Sequence, residues 1–518
     1  MLVKIHTAAL NALTAQDVTL EIDKTKQLQR EMSQAIFMVG LPDNAVRESS
    51  TRVMAALANS RFQPPQNHIV ANFAPADVRK EGTSYDLPLA IGLLAVEKVV
   101  DCHVLDHTML VGELGLDGSI RPVKGALSIS ILARSKGYAT LIVPEANVRE
   151  AAVVNNLRVV GASHLQEVVS FLNGQGTLQP TEINTREEFF AAQSSFPLDM
   201  SDVKGQENVK RALEVAAAGG HNLLLIGSPG CGKSMMAKRL PGILPQLTLS
   251  ESLETTQIHS VAGKLHRNTS LITQRPFRSP HHTISDVALI GGGASLQPGE
   301  ISLAHNGILF LDELPEFSRT ALETMRQPLE DRQITISRTK YSATLPCSFM
   351  LVASMNPCPC GYYNHPTKQC TCSPGQIHRY MGKISGPLLD RIDIQVEVTP
   401  VPIQDLSTAP RGESSAAIRQ RVVRAREVQT ERFKDEKGVH CNAQMSARLI
   451  EKYARPDAAG SARLAQAMRA LNLSARAYER ILKVSRTIAD LEGAPQITAA
   501  HIGEAVGYRN LDRASWGE

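Results

Sequence analysis

Eight residues, Gly227-Ser228-Pro229-Gly230-Cys231-Gly232-Lys233-Ser234, combine three glycines with a terminal lysine and a hydroxyl. Glycines at this spacing let backbone N–H groups turn inward around phosphate oxygens. The lysine reaches the outer phosphates and the hydroxyl holds Mg²⁺. An apolar run, LLLI, precedes the loop and a helical run, MMAKRL, follows it. That is the strand, loop and helix context such chemistry needs, and the helix N-terminus adds partial positive charge.

A second run, NGILFLDELPEF, places Asp312 and Glu313 after a buried strand. Carboxylates there sit at the carboxyl end of a sheet, where α/β proteins bind ligands. Asp312 would hold Mg²⁺ through water, and Glu313 would act as general base on the attacking water. Alone, an acidic pair after a strand also suits a solvated turn. A third run, CSFMLVASMNP, ends in Asn356, a polar group able to orient that water or, before proline, to form a turn.

Four of the eight cysteines fall within NPCPCGYYNHPTKQCTCSP, residues 356–374. Cys358, Cys360, Cys370 and Cys372 form two C-x-C pairs joined by a loop able to fold back. Four thiolates suit tetrahedral Zn²⁺ in a closed, structural site. His365 or His378 could replace one ligand, and reduced cysteines without metal remain the alternative.

These groups need elements to hold them. At 518 residues the chain exceeds one core. Hydrophobic content of 43% and charged content of 20% are ordinary for globular domains. Net charge of +4 permits a nucleic-acid partner through a local patch without arguing for one, and 4% aromatics with one Trp disfavour base stacking as a binding mode. The N-terminal residues lack the apolar core of a secretory signal, and the longest apolar candidate, LPLAIGLLAVEKVV, is too short to span a bilayer. A cytoplasmic protein with no membrane partner and reduced thiols is expected.

Residues 1–173 alternate strand-like and helical patterns, with a hairpin expected around Gly115 to Asp117. Residues 174–200 lose periodicity and read as a linker. Residues 201–400 alternate apolar strands with helices as an α/β nucleotide-binding domain carrying the cysteine insertion at 356–374. Residues 401–518 read as a linker and a helical lid.

The order of phosphate loop, D-E strand and Asn-ended strand resembles the AAA+ ATPase class, which makes Asn356 its sensor 1. The runs VKGQENVKRALEVAAAGGHNLLLIGSPGCGKS, RPFRSPHHTISDVALIGGG, PGEISLAHNGILFLDELPEF and SGPLLDRIDI are similar to the magnesium-chelatase-type branch. With MVGLPDNAVRESSTRV, APADVRKEGTSYDLPLAIGLLA and GELGLDGSIRPVKGAL in front, the chain resembles the ComM/YifB family over nearly its full length.

That resemblance implies a hexameric, ATP-driven DNA translocase or helicase acting in branch migration during integration of incoming DNA. It makes Arg391 in LLDRID the arginine finger for a neighbouring subunit and Arg476 the sensor 2 of the lid. An intrasubunit salt bridge with Asp390 or Asp393 is the alternative for Arg391. The N-terminal domain resembles Lon-type proteases, in which a Lys activates a Ser. Ser84 matches the nucleophile, but Leu127 stands at the lysine position and Lys124 lies three residues early, so protease activity is not expected.

QITISR and SATLP read as strands around a turn bearing Arg338 and Lys340. In this branch such a hairpin points into the ring's pore, where basic tips would contact DNA phosphates, branched or single-stranded, without reading sequence. A solvated hairpin tip is the alternative. SDVALIGGGASLQPGE would form a second pore loop. A magnesium-chelatase-type motor remodelling a protein or metal-insertion partner is the other functional reading.

Overall fold

The structure is a computed structural model that describes residues 2–24, 36–65, 68–192, 196–266, 269–293, 296–338, 341–401 and 411–509. The chain divides into two compact units. The first comprises Met1–Gln193, Thr248–Thr273 and Gly292–Pro298; the second comprises Ser194–Leu247, Gln274–Gly291 and Gly299–Glu518.

The first unit is built on an eight-stranded mixed sheet. Its order is Pro180–Thr181, Arg158–Ala162, Thr140–Pro144, Thr108–Leu110, Leu2–Asn11, Thr14–Lys24, Ile69–Ala74 and Ile36–Val39. The long hairpin of Leu2–Asn11 and Thr14–Lys24 pairs Leu2 with Asp23 and Asn11 with Thr14. Its alternating residues bury Val3, Ile5, Val18, Leu20 and Ile22 on one face, as a period of two dictates.

The apolar run LPLAIGLLAV lies in a helix, Asp86–Val96, buried at every position. Gly92 permits its close approach to the sheet, because a Cβ there would lie 2.3 Å from Ile22 Cδ1. Asp86 opens this helix fully buried, with Arg52 Nε at 2.9 Å. The expected hairpin around Gly115–Asp117 is present as Glu113–Leu114 paired antiparallel with Ile120–Arg121.

The aperiodic stretch after Gly174 holds the edge strand Pro180–Thr181 and a helix, Thr185–Ala192. Phe189, buried in a cluster with Leu127, Val153, Val154 and Leu271, anchors that helix. One apolar anchor in about two turns is too sparse to give a periodic signature. Leu127 is 0% exposed in this cluster, so its position offers no base to Ser84. A further helix, Leu249–Val261, also belongs to the first unit. Its Gln257 Nε2 donates to Leu13 O at 2.8 Å, and Ser260 O accepts from Gly125 N at 3.1 Å.

The second unit contains a five-stranded sheet ordered Phe277–Arg278, Ile308–Leu311, Met350–Met355, Leu223–Gly227 and Ile394–Val398, with every pairing parallel. The inner strands are continuously apolar because both faces are covered, which is why they read as unbroken hydrophobic runs. The helix Glu207–Gly219 lies in the same core as these strands.

Helices Ser415–Arg432, Ala447–Tyr453, Ala458–Ala470, Ala475–Leu491 and Ala499–Gly507 form the helical C-terminal region. A buried polar network ties it to the sheet. His221 Nδ1 meets Asp393 Oδ2 at 3.0 Å, and Arg480 Nη1 meets Asp393 Oδ1 at 2.8 Å. Beyond them Thr487, Asn442, Asp490 and Arg432 continue the chain of bonds. Among the described residues no helix is long and apolar enough to cross a membrane.

Candidate nucleotide and metal sites

Three adjacent parallel strands, Ile308–Leu311, Met350–Met355 and Leu223–Gly227, end on the same side, and their carboxyl ends assemble the first site. Gly227 closes its strand where only glycine fits, since a Cβ would lie 2.4 Å from Val398 O. Gly230 and Gly232 take φ values of 80° and 93°, a left-handed conformation that glycine adopts without strain. The helix Lys233–Ala237 starts directly behind them.

Lys233 is buried, and its Nζ donates to Gly227 O at 2.6 Å, Ser228 O at 3.0 Å and Asn356 Oδ1 at 3.2 Å. Burial lowers its pKa, opposed by the charges of Asp312 and Glu313. The ammonium is thus folded back over its own loop by backbone carbonyls, neutral acceptors that an anionic phosphate would outcompete.

Ser234 Oγ donates to Asp312 Oδ2 at 2.7 Å, and Ser354 Oγ donates to the other Asp312 oxygen. The hydroxyl and the carboxylate expected to share Mg²⁺ are therefore in contact. This oxygen donor set fits a hard divalent cation that keeps several waters. Glu313 follows with φ of 55° and donates its N–H to Asp312 Oδ1 at 3.1 Å. Its carboxylate is 59% exposed and lies 3.6 Å from His282 Nδ1. His282 in turn packs on His281, with ring centroids 4.1 Å apart.

Ser354 and His282 were not singled out in the sequence. Ser354 has a faint signal, lying two residues before Asn356 and hence on the same face of its strand. His282 has no local signal, because it comes from a separate segment.

Arg391 is buried against its own chain. Its Nη1 donates to Pro387 O at 2.5 Å, Nη2 pairs with Glu330, and Nε has no hydrogen-bond partner. The intrasubunit partners considered for it are engaged elsewhere: Asp390 by Arg476 at 3.1 Å and Asp393 by Arg480. A cavity of about 500 Å³ borders Arg391, lined also by Glu323, Arg326, Glu330 and Ile334. Arg476 sits near the start of Ala475–Leu491 with its side chain 64% exposed.

The sulfurs of Cys358, Cys360, Cys370 and Cys372 all lie within 4.8 Å of one another, and all four cysteines are free of disulfides. Cys358 Sγ is 3.3 Å from Cys360 Sγ and 3.7 Å from Cys370 Sγ, and Cys360 Sγ is 3.6 Å from Cys370 Sγ. A tetrahedral Zn²⁺ with bonds of ~2.3 Å sets its sulfurs ~3.8 Å apart, so the set fits that ion. His365 Nδ1 instead accepts the N–H groups of Thr367 and Lys368 at 3.2 and 3.0 Å.

Gln333–Arg338 and Tyr341–Pro346 pair antiparallel, with Arg338 opposite Tyr341. The Arg338 side chain and Lys340 lie outside the described residues. Of the Gly-rich segment expected as a second pore loop, Asp286–Ile290 is helical, with Ser285 capping it.

Family models match along most of the chain. The model for magnesium chelatase subunit ChlI covers residues 199–406, that for subunit ChlI of Mg-chelatase covers 25–147, and that for the ChlI C-terminal region covers 412–509. The uncharacterized protein YifB of Escherichia coli is 44% identical over 513 residues, covering 98% of this chain and 97% of its own. The competence protein ComM of Haemophilus influenzae is 45% identical over 477 residues, 92% of each. Lon protease 2 of Bacillus subtilis is 28% identical over 160 residues, 28% of each chain. The mixed α/β architecture, parallel sheet and helical C-terminal region fit an AAA+ ATPase, and full-length identity of this extent places the chain in the ComM/YifB family of magnesium-chelatase-like proteins.

Proposed function

We propose that the chain is an Mg²⁺-dependent ATPase that assembles as a homo-hexamer and moves along DNA, promoting branch migration when incoming DNA is integrated. The observation that carries the ATPase reading is the convergence of Lys233, Ser234, Asp312 and Asn356 on one point at the ends of three parallel strands. Support for the DNA reading comes from similarity along 92% of the chain to a protein named for competence.

In this reading residues Gly227 to Ser234 wrap the phosphates with backbone N–H groups. Lys233 leaves its carbonyl acceptors for the β and γ oxygens, and Asn356 stays with it to orient the attacking water. Ser234 and Asp312 hold Mg²⁺, which when bound neutralises charge on the phosphate oxygens. Glu313 swings from His282 and takes the proton of the water. Arg391 leaves Glu330 and stabilises the charge developing on the neighbour's γ-phosphate, with Arg476 serving the lid. Cys358, Cys360, Cys370 and Cys372 bind Zn²⁺ structurally, and Arg338 and Lys340 track DNA phosphates regardless of sequence.

A second reading, an ATPase that remodels a protein or metal-insertion partner, draws support from the magnesium-chelatase description of the matching family models. Junction unwinding with a synthetic four-way DNA separates the two. DNA-stimulated hydrolysis with strand exchange supports translocation. Hydrolysis indifferent to DNA, with junctions left intact, supports the second reading.

A further inference from the structure

We propose that the four-cysteine loop is a metal-dependent brace for the phosphate loop: Zn²⁺ on Cys358, Cys360, Cys370 and Cys372 fixes the turn at Gly361 against Pro229, and nucleotide affinity depends on it. This rests on the ATP-site assignment made above and extends it to the metal.

The key contact is at Gly361. Its φ is 83°, and a Cβ built on it would lie 2.6 Å from Pro229 Cδ and 2.9 Å from Pro229 Cγ, with Asn356 Cγ at 4.0 Å. The backbone of the cysteine loop therefore sits directly on the crest of the phosphate loop, with no room for a side chain between them. Pro229 is a rigid ring flanked by Ser228, whose carbonyl holds Lys233, and by Gly230, whose φ is 80°. A shift of Gly361 away from Pro229 removes the wall behind that crest.

From 357 to 373 the chain has no helix or strand, so local contacts alone hold Gly361 in place. One set lies beyond it, where His365 and Lys368 pack on Tyr362. The set that precedes it surrounds the cysteines: Gly361 N–H donates to Cys358 O at 3.0 Å and Cys360 N–H donates to Cys372 Sγ at 3.3 Å. Such N–H···S bonds orient thiolates for a metal. Four thiolates this close repel one another unless a cation joins them, so the energy of metal binding becomes the energy that orders the loop. Cys358 is fully buried two residues beyond Asn356, which fixes one end of the brace beside the acceptor of Lys233.

The test uses the full chain, zinc measured by elemental analysis, and affinity for a fluorescent ATP analogue measured by titration. The expected wild-type protein carries about one zinc per chain. Stripping the metal with a chelator, or Cys370→Ser with Cys372→Ser, should weaken analogue binding ~10-fold or more. Gly361→Ala should keep its zinc yet weaken binding, because the added methyl pushes the two loops apart. This zinc-replete variant decides the matter even if the metal-free chain unfolds.

Unchanged affinity in zinc-replete Gly361→Ala would overturn the brace. Less than about half an equivalent of zinc in the wild type would overturn the metal. Zinc-replete wild type that fails to bind the analogue at all would instead sink the ATP-site assignment.

Discussion

The buried network around Asp393 gives the sharpest test of how the helical region is joined to the nucleotide-binding core. Asp393 is 1% exposed and accepts from both Arg480 and His221, while Arg480 is 22% exposed. Burial alone would raise the Asp393 carboxyl. The Arg480 charge and the His221 contact outweigh it and hold the group well below the ordinary carboxylate range. Burial keeps His221 neutral, with its pKa lowered, so Nδ1–H donates to Asp393 while Nε2 meets the Thr487 hydroxyl at 2.8 Å.

Asp393→Ala removes both acceptors and strands a guanidinium and an imidazole N–H. Breaking a buried pair in this way costs ~3–5 kcal/mol. At ~1.4 kcal/mol per factor of ten, amide exchange through the opening of this region should accelerate roughly 100- to 4,000-fold. Hydrogen exchange read by mass spectrometry on peptides covering Leu223–Gly227 and Ala475–Leu491 measures it. Asp390→Ala is the control: its pair with Arg476 is largely solvated, so ~0–1 kcal/mol is expected.

Acid should act in the same direction. A depressed carboxyl contributes stability that is present above its unfolded pKa of 3.8 and lost below it, and a depressed imidazole loses stability as pH falls through 6.5. Exchange rates in Asp393→Ala that match the Asp390→Ala control would refute this reasoning.

Other outcomes are equally specific. Glu313→Gln should leave analogue binding unchanged and cut hydrolysis by ~10²–10⁴, the scale of a lost general base, as phosphate release would show. Glu330→Gln should release Arg391 and raise steady-state hydrolysis in the assembled protein; an unchanged or lower rate would count against Arg391 serving a neighbour. In the first unit, burial raises Glu150 to about 7 from 4.5. Its stabilising, protonated form is complete below pH 4.5 and lost as pH rises through about 7. Glu150→Gln should therefore stabilise helix Ala126–Lys136 against exchange by ~3 kcal/mol at pH 8 and by little at pH 4, with the Asn147 bond to Oε1 retained.

What the sequence discloses tracks how local the physics is. The phosphate-loop strand, the D-E strand and the Asn-ended strand stand out because parallel strands covered on both faces are unbroken apolar runs followed by the polar residues of their carboxyl ends. The cysteine spacing is equally local. Contacts that depend on tertiary approach leave no such trace. Ser354 on Asp312, His282 on Glu313, Arg391 on Glu330 and Gly361 on Pro229 each join segments remote in sequence. Helix Thr185–Ala192 is similarly hidden, because a single phenylalanine anchors it where periodicity would need a repeated stripe.

The path of the chain has a practical consequence for dissecting this protein. Residues Thr248–Thr273 leave the second unit, lend a helix to the first, and the chain then returns at Gln274. Cutting after Gln193 would therefore not release a clean second unit. It would carry along Leu249–Val261 with Leu249 and Leu253 stripped of Leu127, Val153, Val154 and Phe189. Such a fragment should aggregate unless that excursion is replaced by a short polar bridge.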